Sequence, residues 1–208
     1  HKRRCLLLTL ADIIEACTGF RHEIPQWSPI VGAVVDSRLA TKDTLFVAMK
    51  GERVDGHDFV AEAFKNGAAL AFIEHDVAGG LKVVDLRSQL AFEDVSQLVS
   101  GEPLCLRVND SLQALQQLAG FWRRKLAVRV VGITGSVGKS TTKEVTAEIL
   151  SRRYKTLRNP GNLNNEIGLP LTLLQLTEEH ERAVLEMGFY VEGEIRFLCG
   201  LALPSVGV

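Results

Sequence analysis

The feature that most constrains this chain is a glycine-rich turn between an apolar run and a helix-forming segment. Residues 128–134 (VRVVGIT) have the β-branched, apolar character of a buried strand. Residues 139–150 predict a helix, with Val145 and Ile149 on one apolar face. A strand, a glycine-rich turn and a helix in this order are the setting of a P-loop, in which backbone N–H groups and a helix N-terminus bind nucleotide phosphates. The predicted ATP-binding residues are Thr134, Gly135, Ser136, Val137, Gly138, Lys139, Ser140 and Thr141.

The chemistry of a P-loop assigns roles to three side chains. The Lys139 ammonium can bridge the β and γ phosphates of ATP, and the Ser140 hydroxyl can bind Mg²⁺. Glu186 lies near the end of the apolar run 182–187 (RAVLEM), where an acidic residue on a neighbouring strand can bind the same metal. We therefore predict Lys139 and Glu186 as catalytic residues, and Ser140 and Glu186 as metal ligands.

Simpler interpretations of the same residues stay open. The common P-loop pattern, G-x-x-x-x-G-K-[ST], would place a glycine at position 133, whereas the glycines here are Gly132 and Gly135. The turn could be a strand-to-helix connection that binds no ligand. Glu186 could simply mark the point where a strand leaves the core.

The rest of the chain alternates between strand and helix signals, which predicts an α/β fold. Helices are predicted at 10–18, ending at Gly19, and at 58–66, 110–123, 170–176 and 193–199. Strands are predicted at 30–35, 44–48, 69–74, 82–86, 104–108, 154–157, 182–187 and 205–208. We place a domain boundary near Leu126, between an N-terminal domain of residues 1–125 with a small sheet and the first part of a Rossmann-like P-loop domain at 126–208. The sheet of this second domain needs further strands.

Composition excludes several classes of protein. With 24 Lys and Arg against 25 Asp and Glu, the net charge of −1 gives no field that would favour nucleic acid or an anionic membrane. The cluster 123–125 (RRK) suits the C-terminal end of a helix better than a nucleic-acid patch. Four dispersed cysteines predict free thiols in a reducing cytosol, and no apolar run is long enough to span a bilayer.

Several stretches of sequence, in both halves of the chain, resemble the Mur ligase family. The turn itself, residues 132–142 (GITGSVGKSTT), has the shifted glycines of that family, and residues 161–174 (GNLNNEIGLPLTLL) and 184–188 (VLEMG) followed by 193–195 (GEI) agree with it. In the N-terminal half, residues 36–38 (DSR), 45–48 (LFVA) and 51–59 (GERVDGHDF) are similar to its UDP-substrate domain. The resemblance is weakest between residues 76 and 109.

The resemblance implies an ATP- and Mg²⁺-dependent ligase of peptidoglycan precursor synthesis. Such an enzyme would phosphorylate the terminal carboxylate of UDP-N-acetylmuramoyl-tripeptide, and the amine of D-alanyl-D-alanine would attack the acyl phosphate. It further implies that Ser37, Arg38 and His57 hold the uridine and diphosphate, and that Asn164 and Asn165 contact substrate. We expect a cytoplasmic monomer with no nucleic-acid or membrane partner. Because the family's third domain and part of its metal site are missing, we expect these residues alone to be inactive.

Other functions remain possible from the sequence. The diaminopimelate- or lysine-adding Mur ligase shares the first domain and the P-loop, although the segment around Asn164 and Asn165 argues against it. A GTPase-like nucleotide-binding module would need an Asn-Lys-x-Asp guanine-reading segment, which the sequence lacks. A non-catalytic domain that binds only a UDP-sugar is the third alternative.

Overall fold

The structure is a computed structural model that describes residues 6–24, 27–88 and 101–208. It divides into two compact units, Leu7–Leu118 and Ala119–Val208, and Leu6 belongs to the second. The predicted domain boundary near Leu126 stays a prediction.

The first unit is an α/β layer, as the alternating pattern predicts. Its described elements are α1 (Leu10–Thr18), β1 (Ala33–Val34), β2 (Leu45–Val47), α2 (Val60–Lys65), β3 (Leu70–Ile73), β4 (Lys82–Asp85) and β5 (Leu104–Arg107), with 3₁₀ turns at Ser37–Leu39 and Gly56–Phe59. Within these residues five parallel strands form one sheet in the order β1-β2-β3-β5-β4. Helix α3 (Ser111–Lys125) follows and runs across the division between the units.

Local sequence explains where α1 begins and ends. The Thr9 hydroxyl accepts from the Asp12 N–H, and the Asp12 carboxylate accepts from the Thr9 N–H, so the two residues form a capping box. Gly19 ends the helix with a φ of 79°, a left-handed conformation that glycine adopts without strain. Strands β2, β3 and β5 contribute Phe46, Ala71 and Cys105 to a common apolar core.

The second unit holds the predicted P-loop. Its elements are β6 (Arg129–Ile133), α4 (Lys139–Ser151), β7 (Thr156–Arg158), α5 (Gly168–Leu173), β8 (Arg182–Glu186), α6 (Glu194–Ala202) and β9 (Val206–Gly207). Four parallel strands form the described sheet in the order β7-β8-β6-β9. Ile133 at the end of β6 is in register with Glu186 at the end of β8. Because the strands are parallel, both ends meet at the same edge of the sheet, where α4 begins.

The structure corrects several details of the predicted elements. The strand expected at 30–35 contains only Ala33–Val34, the helix expected at 58–66 starts with the 3₁₀ turn Gly56–Phe59, and the helix expected at 170–176 is Gly168–Leu173. Proline is tolerated in the first turn of a helix, so α5 can begin before Pro170. Most of the weakly amphipathic segment after residue 86 lies outside the described residues.

The predicted apolar face of α4 is wrong. Val145 and Ile149 are 54% and 62% exposed, whereas Lys143 and Ala147 are buried. The core against this helix consists of Ala147 with Ile133 and Val184 from the sheet. The buried lysine makes the inward face look polar in the sequence, which is why the periodicity indicated the opposite face.

The cysteines and the apolar character of the helices can be described for most of the chain. Cys17, Cys105 and Cys199 are free thiols, and burial raises the pKa of Cys17 and Cys105 to about 12. Among residues 6–24, 27–88 and 101–208, no helix has both the length and the apolar character to cross a membrane.

Candidate functional site: a glycine-rich turn with an adjoining carboxylate

The turn between β6 and α4 leaves the helix N-terminus open. Gly138 is the N-cap residue with a φ of 82°, and it offers no side chain to the first-turn N–H groups. Gly135 has a φ of 137°, another value that side chains rarely tolerate. Ser136, Val137 and Gly138 are exposed. The positive end of the α4 dipole therefore faces solvent with no carboxylate of its own, which is the arrangement that binds phosphate.

The two predicted ligands next to this turn are in contact with each other. Ser140 Oγ donates to Glu186 Oε2 at 2.9 Å, although the residues are 46 positions apart. Lys139 Nζ donates to the Gly135 carbonyl at 2.7 Å, which holds the ammonium group against the turn. A hydroxyl and a carboxylate are hard oxygen donors of the kind that Mg²⁺ prefers, so these residues fit the metal that the sequence predicts.

Two asparagines fix Glu186 from the other side. Asn159 is fully buried; its Oδ1 accepts from the Glu186 N–H at 2.9 Å and its Nδ2 donates to the Glu186 carbonyl at 3.0 Å. Asn164 Nδ2 donates to Glu186 Oε1 at 2.9 Å. Each carboxylate oxygen of Glu186 thus accepts a hydrogen bond. The backbone N–H and carbonyl of Glu186 are both hydrogen-bonded to Asn159.

Sequence reasoning missed two residues of this site. Asn159 lies in a predicted polar turn, and no motif in the sequence distinguishes Lys143. Lys143 Nζ donates to the Asn159 carbonyl at 3.0 Å and lies 3.7 Å from Glu186 Oε2. Its spacing, one helical turn beyond Lys139 and three residues beyond Ser140, places Lys143 on their side of the helix, but nothing local indicates that it is buried.

Asn165 is placed differently from Asn164. Its Oδ1 accepts from the Gly168 N–H at 2.8 Å and from the Ile167 N–H at 3.3 Å, at the start of α5. This side-chain oxygen therefore serves the helix N-terminus. The prediction that Asn165 contacts substrate remains untested.

In the first unit, Ser37 and Arg38 both have partners within the chain. Ser37 is buried and its hydroxyl donates to Glu62 Oε2 at 2.8 Å. Arg38 is 80% exposed at its side chain and forks onto Asp36, with Nε to Oδ1 at 2.9 Å and Nη2 to Oδ2 at 2.6 Å. These bonds from Arg38 lower the pKa of Asp36 to about 2. The predicted roles of Ser37 and Arg38 toward a diphosphate are not tested by these contacts.

His57 is buried and belongs to a hydrogen-bond network that reaches the surface. Its Nε2 accepts from the Glu74 N–H at 2.8 Å, so the ring proton lies on Nδ1, which is 2.6 Å from Asp55 Oδ1. Hydrogen bonds from the His57 N–H and ring lower the pKa of Asp55 to about 2. His75 stacks on His57 with 3.9 Å between ring centroids, and its Nε2 is 3.3 Å from Asp55 Oδ2.

This network has three possible metal-binding side chains, Asp55, His57 and His75. A metal ion at His57 Nδ1 would need that nitrogen without its proton, and the proton would then have to move to Nε2, which already accepts a hydrogen bond. The protonation pattern favours a hydrogen-bond network over a metal site. Both ring nitrogens of His57 are used within the chain, and its predicted contact with substrate stays a prediction.

Two protein-family models match this chain. Residues 133–208 match the family model described as "Mur ligase middle domain", and residues 29–123 match "Mur ligase family, catalytic domain". The chain belongs to the Mur ligase family. The glycine-rich turn and Glu186 lie within the first of these two matches, and Ser37, Arg38 and His57 within the second.

Two similar curated Mur ligases carry the same name. The UDP-N-acetylmuramoyl-tripeptide--D-alanyl-D-alanine ligase of Bacillus subtilis (strain 168) is 39% identical over 202 residues, which are 96% of this chain and 40% of that protein. The ligase of the same name from Escherichia coli (strain K12) is 39% identical over 173 residues, 83% of this chain and 33% of that protein. The chain therefore spans about two fifths or less of these Mur ligases.

Solved structures of Mur ligases agree with the fold. A crystal structure of MurF from Acinetobacter baumannii has a TM-score of 0.75 at 34% identity, covering 99% of this chain and 40% of that one. MurF from Thermotoga maritima in complex with ADP has a TM-score of 0.63 at 34% identity, covering 83% of this chain and 35% of that one. A diaminopimelate ligase of the family is similar in fold alone, with a TM-score of 0.50 at 15% identity.

Proposed function

We propose that this chain carries the nucleotide site and the UDP-substrate site of a ligase that joins D-alanyl-D-alanine to UDP-N-acetylmuramoyl-tripeptide at the expense of ATP. The observation that carries the proposal is the open N-terminus of α4, where Lys139 lies against the turn and Ser140 is bonded to Glu186. The names of the Bacillus and Escherichia relatives supply the two substrates. Both relatives are 39% identical to this chain, whereas the diaminopimelate ligase is 15% identical. This difference favours the dipeptide as acceptor.

The proposed nucleotide site acts by positioning charge. Backbone N–H groups of the turn and the first turn of α4 would hold the phosphates of ATP, and the Lys139 ammonium would neutralise charge that develops on the transferred phosphoryl group. Ser140 and Glu186 would hold Mg²⁺, which supplies further positive charge at the phosphates. Asn164 would keep Glu186 in the orientation that this requires, because it donates to the second carboxylate oxygen.

The reaction needs two negatively charged molecules to meet. The tripeptide carboxylate would attack the γ-phosphorus of ATP with loss of ADP, giving an acyl phosphate. The free amine of D-alanyl-D-alanine would then attack the acyl carbon, and inorganic phosphate would leave as the amide bond forms. The Lys139 ammonium group near the turn would reduce the repulsion in the first step.

The N-terminal unit would hold the uridine diphosphate. Arg38 is exposed, and its fork of N–H donors suits a diphosphate as well as it suits Asp36. Ser37 precedes it in the same 3₁₀ turn. His57 would hold the neighbouring loop in place through its hydrogen bonds to Asp55 and to the Glu74 N–H. We further propose the domain division 1–125 and 126–208, a monomer, and a cytoplasmic location, where ATP is supplied.

Turnover by the full-length protein tests this function. Inorganic phosphate release is measured with ATP, Mg²⁺ and UDP-N-acetylmuramoyl-tripeptide, and D-alanyl-D-alanine or diaminopimelate is supplied as acceptor. We expect phosphate release with the dipeptide only. Lys139→Ala should lower kcat by about 100- to 1,000-fold, the typical cost of removing one group that stabilises transition-state charge.

Lys155 provides the matched control, because it is a lysine of the same unit whose side chain is 53% exposed. Lys155→Ala should leave turnover within about twofold of the wild type, since surface ion pairs contribute little. Wild-type protein that releases no phosphate with the dipeptide would refute the proposed substrates. Full turnover in Lys139→Ala would refute the proposed nucleotide site.

A further inference from the structure

Lys143 is a buried cation that the proposed function does not yet explain. It is 1% exposed, which is unusual for a lysine, and it lies on α4 one turn beyond Lys139. Moving an ammonium group out of water is unfavourable unless charged or polar partners replace the water. Its partners therefore indicate why the chain retains a lysine here.

Those partners belong to three segments of the second unit. Lys143 Nζ donates to the Asn159 carbonyl at 3.0 Å and to the Gly161 carbonyl at 3.2 Å, both in the loop after β7. It also lies 3.7 Å from Glu186 Oε2 at the end of β8, and 3.4 Å from Glu144 Oε1. Glu144 is half exposed, whereas the Glu186 side chain is 4% exposed.

Glu186 and Lys143 thus form a buried pair of opposite charge. The Oε2 atom that faces Lys143 is the same atom that accepts the Ser140 hydroxyl. Water is largely excluded from both side chains, so their attraction is screened less than that of a surface pair. The ammonium group is therefore an internal counter-ion for the carboxylate that the proposed function assigns to the metal.

We propose that Lys143 is a positioning residue, which pins Glu186 and the loop at Asn159–Gly161 before the metal binds and weakens the binding of Mg²⁺ alone. This inference rests on the proposed function in one respect, the role of Glu186 as a metal ligand. Mg²⁺ and the ammonium group compete for the same carboxylate and repel each other. The phosphates of ATP add negative charge, so the site binds the metal together with the nucleotide in preference to the metal alone.

A cycle of variants in the full-length protein tests the inference without any catalytic reaction. The set is Lys143→Met, Glu186→Gln, the double variant Lys143→Met/Glu186→Gln, and Lys155→Met as the control for an exposed lysine. Binding of Mg²⁺ in the absence of nucleotide is measured by titration calorimetry. Methionine matches the length of lysine and carries no charge, so packing is largely retained.

We expect Lys143→Met to bind Mg²⁺ at least about 10-fold more tightly than the wild type, because a like charge has been removed. The double variant should lose this gain, since the carboxylate through which Lys143 acts is gone. Lys155→Met should bind Mg²⁺ as the wild type does. Unchanged or weaker Mg²⁺ binding in Lys143→Met would overturn the inference, because a lysine that only fills space has no reason to oppose a cation.

The folding of these variants gives a second readout. If Lys143→Met does not fold but the double variant does, the pair is still supported, because removing one partner leaves a buried charge whereas removing both does not. If both fail to fold, Lys143 serves only the loop carbonyls and the inference is overturned. Turnover of the wild type is judged separately, so a protein that shows this coupling but no ligation would refute the proposed function alone.

Discussion

Helices α3 and α4 both follow a strand of a parallel sheet, yet their N-termini are occupied in different ways. At α3, Asp110 Oδ1 accepts from the Gln113 N–H at 2.8 Å, and Glu74 Oε1 accepts from the Ser111 N–H at 2.9 Å. At α4, the N-cap is Gly138, no side chain caps the helix, and the first turn contains no acidic residue. Two carboxylates of the chain therefore bind N–H groups at the N-terminus of α3, whereas no side chain binds those at the N-terminus of α4.

This difference shows what distinguishes a phosphate site from an ordinary strand-to-helix connection. Both helix ends carry the same partial positive charge and the same free N–H groups. Where carboxylates of the chain already accept from these N–H groups, an external anion binds weakly. Where glycines replace them, the N–H groups remain for a ligand. The absence of a carboxylate bonded to the N–H groups of α4 is thus as informative as the presence of Lys139.

Gly138→Asp breaks the comparison most strongly, because it gives the open turn the acidic residue of the closed one. Aspartate tolerates a positive φ better than most residues, so the turn can persist. A carboxylate about 4 Å from a phosphate costs about 4 kcal/mol at an effective dielectric constant of about 20. We expect the affinity of the full-length protein for ATP, measured by calorimetry, to fall by about 100-fold or more.

Gly138→Asn is the control for shape. It has the size and the turn preference of aspartate but no charge, and we expect it to weaken ATP binding by about 10-fold or less. Equal losses in the two variants would show that bulk or backbone strain closes the turn, and that charge does not account for the difference between α3 and α4.

Much of the fold could be predicted because its signals are local. The Thr9–Asp12 capping box and Gly19 specify α1 within eleven residues, and the apolar runs give the strands on both sides of the turn. Neighbouring parallel strands place their ends together, so the contact between Ser140 and Glu186 follows once β6 and β8 pair. Local sequence does not determine which strands pair. The edge strand β1 is also shorter than the apolar run that predicted it.

The burial of Lys143 could not be predicted for the same reason. Its partners lie 16 to 43 residues later in the chain, at Asn159 and Glu186, and only the folded sheet brings them near α4. Without them, a lysine in a helical pattern indicates a solvent-facing side. Val145 and Ile149 therefore looked like the buried face, whereas they are exposed. Residues of a site that are held by distant polar groups are the ones that periodicity misassigns.

Gly168→Ala tests whether the α4 site depends on the loop that carries Asn164, the hydrogen-bond partner of Glu186. A Cβ at Gly168 would lie 2.4 Å from Leu163 Cα, a backbone atom next to Asn164. The loop must shift to make room, and overpacking of this kind costs about 1–3 kcal/mol. We expect the free energy of unfolding in urea to fall by about that amount, and ATP turnover to fall with it as Asn164 moves away from Glu186.

Gly200→Ala is the matched control for this substitution. Gly200 lies in α6, and a Cβ atom at this position would meet no neighbouring side chain or loop within 4 Å. Alanine should stabilise the helix by about 0.5–1 kcal/mol. If Gly168→Ala proves as harmless as Gly200→Ala, the loop around Asn164 yields easily and does not hold Glu186 in a fixed position.

Asp110→Ala tests the closed end of the comparison and has the smallest expected effect. Removing an N-cap carboxylate costs about 1 kcal/mol of stability, which urea unfolding can measure, and Asp110→Asn should recover most of it because asparagine caps almost as well. ATP affinity should not change, since this helix end has a second carboxylate, Glu74, on the Ser111 N–H. A gain of anion binding in Asp110→Ala would mean that one internal carboxylate is enough to decide whether a helix end is open. In that case the glycines of the α4 turn matter less for their shape than for the acid that they exclude.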